Sequence, residues 1–122
     1  MIVLDDDLFI CRALKTQLEI LGFDVVVFHT AERLLASKIT SPNICVLADV
    51  YLPGMSGVEL CRRLAAEGSS LPIILMSGRD DDETARSMRD AKPIARLFKP
   101  FEQIELLRAV KKAIAKKSRH AQ

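Results

Sequence analysis

Residues able to bind a cation and handle a phosphoryl group are spread along the whole chain: Asp5, Asp6 and Asp7 near its start, Asp49 in the middle, then Ser77 and Lys99. Two or three carboxylates held within a few ångströms repel one another, and a hard divalent cation such as Mg²⁺, which prefers oxygen ligands, is the simplest neutraliser. A cation held by few carboxylates keeps open positions for water or phosphate oxygens. A carboxylate beside it can attack phosphorus, as carboxylate nucleophiles do when they form acyl phosphates. In that chemistry Asp49 is the nucleophile, and Lys99 pairs with Asp49 at rest and with a phosphoryl oxygen after transfer. Ser77 offers a hydroxyl to that same oxygen. Singly, each has a plainer explanation: helix-cap and first-turn charges for Asp5 to Asp7, a turn before Pro53-Gly54 for Asp49, a serine turn for Ser77 and a surface cation for Lys99. For any one alone the plainer explanation wins, so the chemistry depends on whether the fold brings them together.

The apolar pattern says that it does. Short β-branched or leucine-rich runs at Ile2 to Leu4, Val25 to Phe28, Ile44 to Ala48, Ile73 to Met76 and Ile94 to Phe98 are separated by segments long enough for helices. Such alternation predicts a parallel sheet. Leu8, Cys11, Leu14, Leu18 and Leu21 recur at helical steps before Gly22, and Thr30 can cap a second helix carrying Leu34 and Leu35. Val58, Leu60, Cys61 and Leu64 supply a third helix that Gly68 stops, and a last helix reads from Ile104 to Ile114. The fourth, from about Asp82 to Ala91, has only Ala85, Met88 and Ala91 as apolar residues, so little of it is expected to be buried and it is the candidate mobile element. Right-handed crossovers place helices on both faces of such a sheet, with ligands beyond the carboxyl ends of the strands. The acids, the serine and the lysine all follow run ends.

Bulk properties set further bounds. A chain of 122 residues, 49% hydrophobic, makes one domain with one sizeable core. No run approaches the roughly 20 apolar residues needed to span a bilayer, and no basic, apolar leader precedes Asp5. A soluble, cytoplasmic domain without membrane contact is expected. Cys11, Cys45 and Cys61 are odd in number and lie in apolar stretches, which fits buried thiols in a reducing compartment. With no CxxC and with His29 and His120 far apart, zinc has little support. The 18 basic and 16 acidic residues balance too closely to predict nucleic-acid binding by the domain itself. The crowd of Lys111, Lys112, Lys116, Lys117 and Arg119 reads as a solvated helix face running into a tail.

Four stretches together resemble the response-regulator receiver signature of two-component systems. They are Ile2 to Asp7, Cys45 to Gly57, Pro72 to Gly78 and Phe98 to Phe101. The resemblance covers essentially the whole chain. It implies one α/β domain, a doubly wound (βα)5 flavodoxin-like fold with strand order 2-1-3-4-5, over residues 1–117, with 118–122 as a tail or the start of a linker. It implies that Asp49 accepts the phosphoryl group, that Asp6 ligates Mg²⁺ with help from Asp5, and that the backbone carbonyl of Tyr51 is a further ligand. Ser77 and Lys99 would contact the phosphoryl group, with a cis bond from Lys99 to Pro100, while Asp7 becomes a helix-start residue. The partners implied are a sensor histidine kinase or phosphotransfer protein, a DNA-binding effector domain in the full-length chain, and a second copy in a homodimer. The wording around Tyr51 to Leu60 and Phe28 to Leu35 is most similar to receivers that precede LuxR-type DNA-binding domains.

The pattern departs from the family in three places. The position three before the lysine, aromatic in many members, is Arg96, and Lys92 and Pro93 replace the usual small residues before it. These leave the phosphorylation chemistry intact and put in question its relay to the face formed by the fourth helix, fifth strand and fifth helix. The plain alternative lays Arg96 along the surface with its head in water. The first strand also begins unusually close to the start of the chain, so a trimmed start or a short edge is expected. Two competing classes are weaker. A haloacid-dehalogenase-type phosphatase wants a second aspartate two residues after the nucleophile, where Tyr51 stands, and a pseudo-receiver usually lacks one of the acids or the lysine, all of which are present.

Overall fold

The computed structural model describes residues 1–38 and 44–121, with side chains to residue 115. Strands and helices alternate throughout: β1 (Ile2–Leu4), α1 (Leu8–Ile20), β2 (Val26–Phe28), α2 (Ala31–Ser37), β3 (Val46–Asp49), α3 (Gly57–Ala66), β4 (Ile73–Ser77), α4 (Asp82–Asp90), β5 (Ala95–Phe98) and α5 (Gln103–Ala121). The strands pair in parallel in the order β2-β1-β3-β4-β5, the expected doubly wound topology. Among the described residues no helix is long and apolar enough to cross a membrane.

The strands are near-continuous apolar runs because both faces of the sheet are covered, and alternate side chains feed two cores. Ile2, Leu4, Val46, Ala48, Ile73 and Leu75 point to one side, where they meet Leu34 of α2, Leu60 and Cys61 of α3, and Met88 of α4. Val3, Leu47, Ile74, Met76 and Leu97 point to the other, against Cys11, Leu14 and Leu18 of α1 and Leu106, Val110 and Ala113 of α5. Each enclosed Leu, Ile or Met contributes roughly 1.5–3 kcal/mol, and together they fix which strand ends stand side by side. All three cysteines are buried and none is in a disulfide.

Side-chain caps start the first four helices. Asp7 accepts from the N–H groups of Phe9 (2.9 Å) and Ile10 (3.2 Å), which makes it the helix-start residue expected. Thr30, Ser56 and Asp81 cap α2, α3 and α4 in the same way. Gly22 and Gly68 end α1 and α3 at φ of +96° and +75°, a left-handed stop that glycine adopts readily.

One expectation needs correction. The last helix does not end near Ile114 but continues to Ala121, because the residues after Ile114 include neither glycine nor proline to stop it. The side chains of Lys116, Lys117 and Arg119 lie outside the described ones. The fourth helix is, as expected, little buried: of its nine residues only Thr84 and Met88 are enclosed, with Ala91 buried just beyond it, and Thr84 rather than Ala85 completes the inner face.

Candidate functional site

Strand register brings the chemistry-bearing residues to one end of the sheet. Leu4 of β1 pairs with Ala48 of β3, so Asp5 and Asp49 follow at the same level on neighbouring strands. Asp49 pairs with Met76, which places Ser77 one residue further along β4, and Ser77 pairs with Phe98, immediately before Lys99. Lys99 is joined to Pro100 by a cis peptide bond, and its N–H donates to the carbonyl of Ser77 at 2.7 Å.

Carboxylate oxygens of Asp5, Asp6 and Asp49 lie within 4.8 Å of one another. Asp5 is 1% exposed and Asp49 8%, whereas Asp6 opens to solvent. Lys99 Nζ donates to Asp5 Oδ2 at 2.9 Å and stands 3.6 Å from Asp49 Oδ2. The resting partner of the lysine is therefore Asp5 first, with Asp49 second, rather than Asp49 alone. One ammonium faces two buried carboxylates, and a third is at the rim. This set of hard oxygen donors, short of positive charge, suits Mg²⁺.

The electrostatics of Asp49 follow from this crowding. Burial pushes its carboxyl up to about 6; Lys99 pulls it down, Asp5 and Asp6 push it up, and the Tyr51 N–H favours the charged form. A carboxyl raised in the folded state binds its proton more tightly there than in the unfolded chain. Its contribution to stability is therefore full below the unfolded value near 3.8 and is lost as the pH rises through about 6. Fully converted, a shift of this size approaches 3 kcal/mol, and water at the open mouth reduces it to about 1–2 kcal/mol. In chelator and without divalent cation, Asp49→Asn is thus expected to be more stable than wild type at pH 7. The gap should close below about pH 4 in urea unfolding, and a gap that does not change with pH would contradict this assignment.

Ser77 is fully buried, and its Oγ accepts from the N–H of Arg79 at 3.0 Å. The serine turn is therefore real, yet the hydroxyl proton is not used in that bond and stays available to an oxygen at the strand end. Tyr51 projects its ring outward, 45% exposed. Arg96 is exposed on β5, as the plain alternative had it.

Sequence reasoning missed three residues around this pocket. Glu32, in the first turn of α2, accepts from the N–H of Met55 at 3.0 Å and so ties α2 to the loop after β3. Thr84 and Arg79 grip Tyr51 from the other side: Tyr51 Oη is 2.6 Å from Thr84 Oγ1, and the Arg79 guanidinium lies 5.0 Å from the ring centroid. No spacing rule identifies such contacts, because their partners come from different crossovers. A threonine on the inner face of a charged helix was the one available signal.

Comparison with known proteins agrees with the geometry. The family described as "Response regulator receiver domain" matches residues 1–111. The chain is 34% identical over 112 residues to the transcriptional regulatory protein FixJ of Bradyrhizobium diazoefficiens, covering 92% of this chain and 55% of that protein. It is 34% identical over 112 residues to the response regulator protein TodT of Pseudomonas putida, covering 92% of this chain and 49% of that protein. The chain thus spans about half the length of these curated relatives. Among solved structures, the response regulator StyR superposes with a TM-score of 0.85 at 33% identity, over 99% of this chain and 61% of that one. The BeF3-activated DrrB receiver domain does so with 0.81 at 32%, over 93% and 95%. Fold, strand-end chemistry and sequence kinship converge: the chain belongs to the response regulator receiver domain family.

Proposed function

We propose that Asp49 receives a phosphoryl group from a sensor histidine kinase or phosphotransfer protein, and that this event switches the contacts the domain makes with an effector. The observation that carries the reading is the meeting of three carboxylates within 4.8 Å under one lysine that reaches two of them. Asp5, Asp6 and Asp49, with the Tyr51 carbonyl, would hold Mg²⁺, which when bound offsets the negative charge of the acids and of the incoming phosphate.

The chain's own residues do the rest. At neutral pH Asp49, with its carboxyl near 6, is mostly ionised, so its oxygen attacks phosphorus without giving up a proton. The new O–P bond forms as the bond from phosphorus to the donor's histidine nitrogen breaks, and that nitrogen leaves with the electron pair. Lys99 shifts its hydrogen bond from Asp5 toward a phosphoryl oxygen, and the Ser77 proton supplies a second donor. Attack of water on the acyl phosphate returns free phosphate and the resting aspartate. The domain thus promotes its own phosphorylation and dephosphorylation and turns over no other substrate.

We place the receiver at residues 1–117, with 118–122 as a tail or the start of a linker that α5 enters as helix. A DNA-binding effector beyond it is supported by relatives named as transcriptional regulators. Three buried thiols without a disulfide support a cytoplasmic location. The domain meets DNA through that effector rather than directly, in keeping with its nearly balanced charge. Acetyl phosphate with Mg²⁺ is expected to add one phosphoryl mass to the wild-type chain and none to Asp49→Asn, read by intact-protein mass spectrometry. Undiminished labelling of the variant would remove Asp49 from the mechanism.

A further inference from the structure

Tyr51 belongs both to the acidic pocket and to the hold on α4. Its N–H favours the charged carboxylate of Asp49, two residues earlier in the chain. At the other end of the side chain, Oη lies 2.6 Å from Thr84 Oγ1 in the first turn of α4. The Thr84 hydroxyl gives its one proton to Asp81 Oδ2 at 3.1 Å, so the Tyr51 hydroxyl must be the donor in the shorter bond. Asp81 in turn caps α4 by accepting from the N–H of Thr84 at 2.9 Å. Arg79 closes the ring of contacts, with Nε 3.2 Å from Asp81 Oδ2 and its guanidinium over the Tyr51 ring. Its N–H is the one that donates to Ser77 Oγ.

A purely structural cap for α4 would need only Asp81 and the N–H of Thr84. Here the hydroxyl of Thr84, a residue only 3% exposed, draws in a tyrosine from a different loop, and that tyrosine stands two residues beyond the acceptor. We propose that Tyr51 is the positioning residue that carries events at Asp49 to α4, its hydroxyl pulling on Thr84 whenever the backbone around the acceptor shifts. This rests on the receiver reading above. The phenol is a short lever, because two side-chain torsions separate its backbone from its hydroxyl. The element it pulls is easily moved: α4 is polar on most of its surface, with Met88 as its one large buried apolar residue.

Hydrogen exchange of the full chain over residues 82–90, in Mg²⁺ with and without acetyl phosphate, tests the link, with stoichiometry followed by intact mass. In the wild type, labelling is expected to change α4 exchange by roughly threefold or more. Thr84→Val keeps the shape and removes the hydroxyl; it should label like wild type and lose the α4 response, and Thr84→Ser should restore the response. Tyr51→Phe, which deletes only the hydroxyl, is expected to lose the response as well and serves if Thr84→Val does not fold. An α4 response in labelled Thr84→Val or Tyr51→Phe equal to that of wild type would overturn the proposal, as would a labelled wild type with no α4 response. A wild type that takes no label would instead overturn the receiver reading itself.

Discussion

Asp6→Ala is expected to lower Mg²⁺-dependent phosphoryl incorporation from acetyl phosphate by roughly 100-fold or more, the scale on which losing a metal ligand or a charge-stabilising group acts. Asp6 is the exposed member of the acidic trio and takes no part in either core, so its removal leaves the fold standing. The same variant should lose the rise in thermal midpoint that Mg²⁺ gives the wild type, since a ligand stabilises only the state that binds it. Labelling and thermal shift thus report on one site by independent routes. Full labelling with no thermal shift lost would put the cation elsewhere.

Gly57→Ala carries the largest expected effect on stability. Gly57 opens α3 and lies buried with its Cα against the backbone of Asp49, and its N–H donates to the carbonyl of Val50 at 3.0 Å. A Cβ there would be driven into the Asp49 carbonyl oxygen, with the Cα of Val50 only 3.2 Å away. Backbone cannot yield as a flexible side chain can, so either α3 withdraws from the sheet or the acceptor's own peptide moves. Overpacking of this kind costs about 3 kcal/mol, which lowers the thermal midpoint by roughly 10 °C for a domain of this size. Labelling of the surviving folded fraction should fall too, because the displaced peptide is that of the nucleophile. A variant as stable and as readily labelled as wild type would show that the close approach is unimportant.

Much of this architecture was legible because it rests on periodicity and local chemistry. Five apolar runs separated by amphipathic segments permit few topologies, and Asp7, Thr30, Gly22 and Gly68 mark helix ends by their own short-range bonding or backbone freedom. Asp5, Asp49, Ser77 and Lys99 were legible because each stands at or just past the end of a strand, and strand ends in a parallel sheet lie together. What escaped reading depends on distance through space. Whether Lys99 prefers Asp5 or Asp49 is decided by tenths of an ångström at the sheet's end. The bond from Tyr51 to Thr84 spans 33 residues of sequence, and that from Glu32 to Met55 spans 23. The length of α5 escaped for another reason: helix-forming residues without a stop signal do not announce where they end.

The acceptor can be identified chemically. After labelling with acetyl phosphate and Mg²⁺, borohydride reduces an aspartyl phosphate to homoserine, and peptide mass spectrometry then locates the converted residue. With Asp49 as the acceptor, homoserine is expected at position 49 and at no other aspartate, in proportion to the phosphoryl mass gained. Conversion at Asp5 or Asp6, or a phosphoryl label that survives borohydride with Asp49 unchanged, would contradict that assignment.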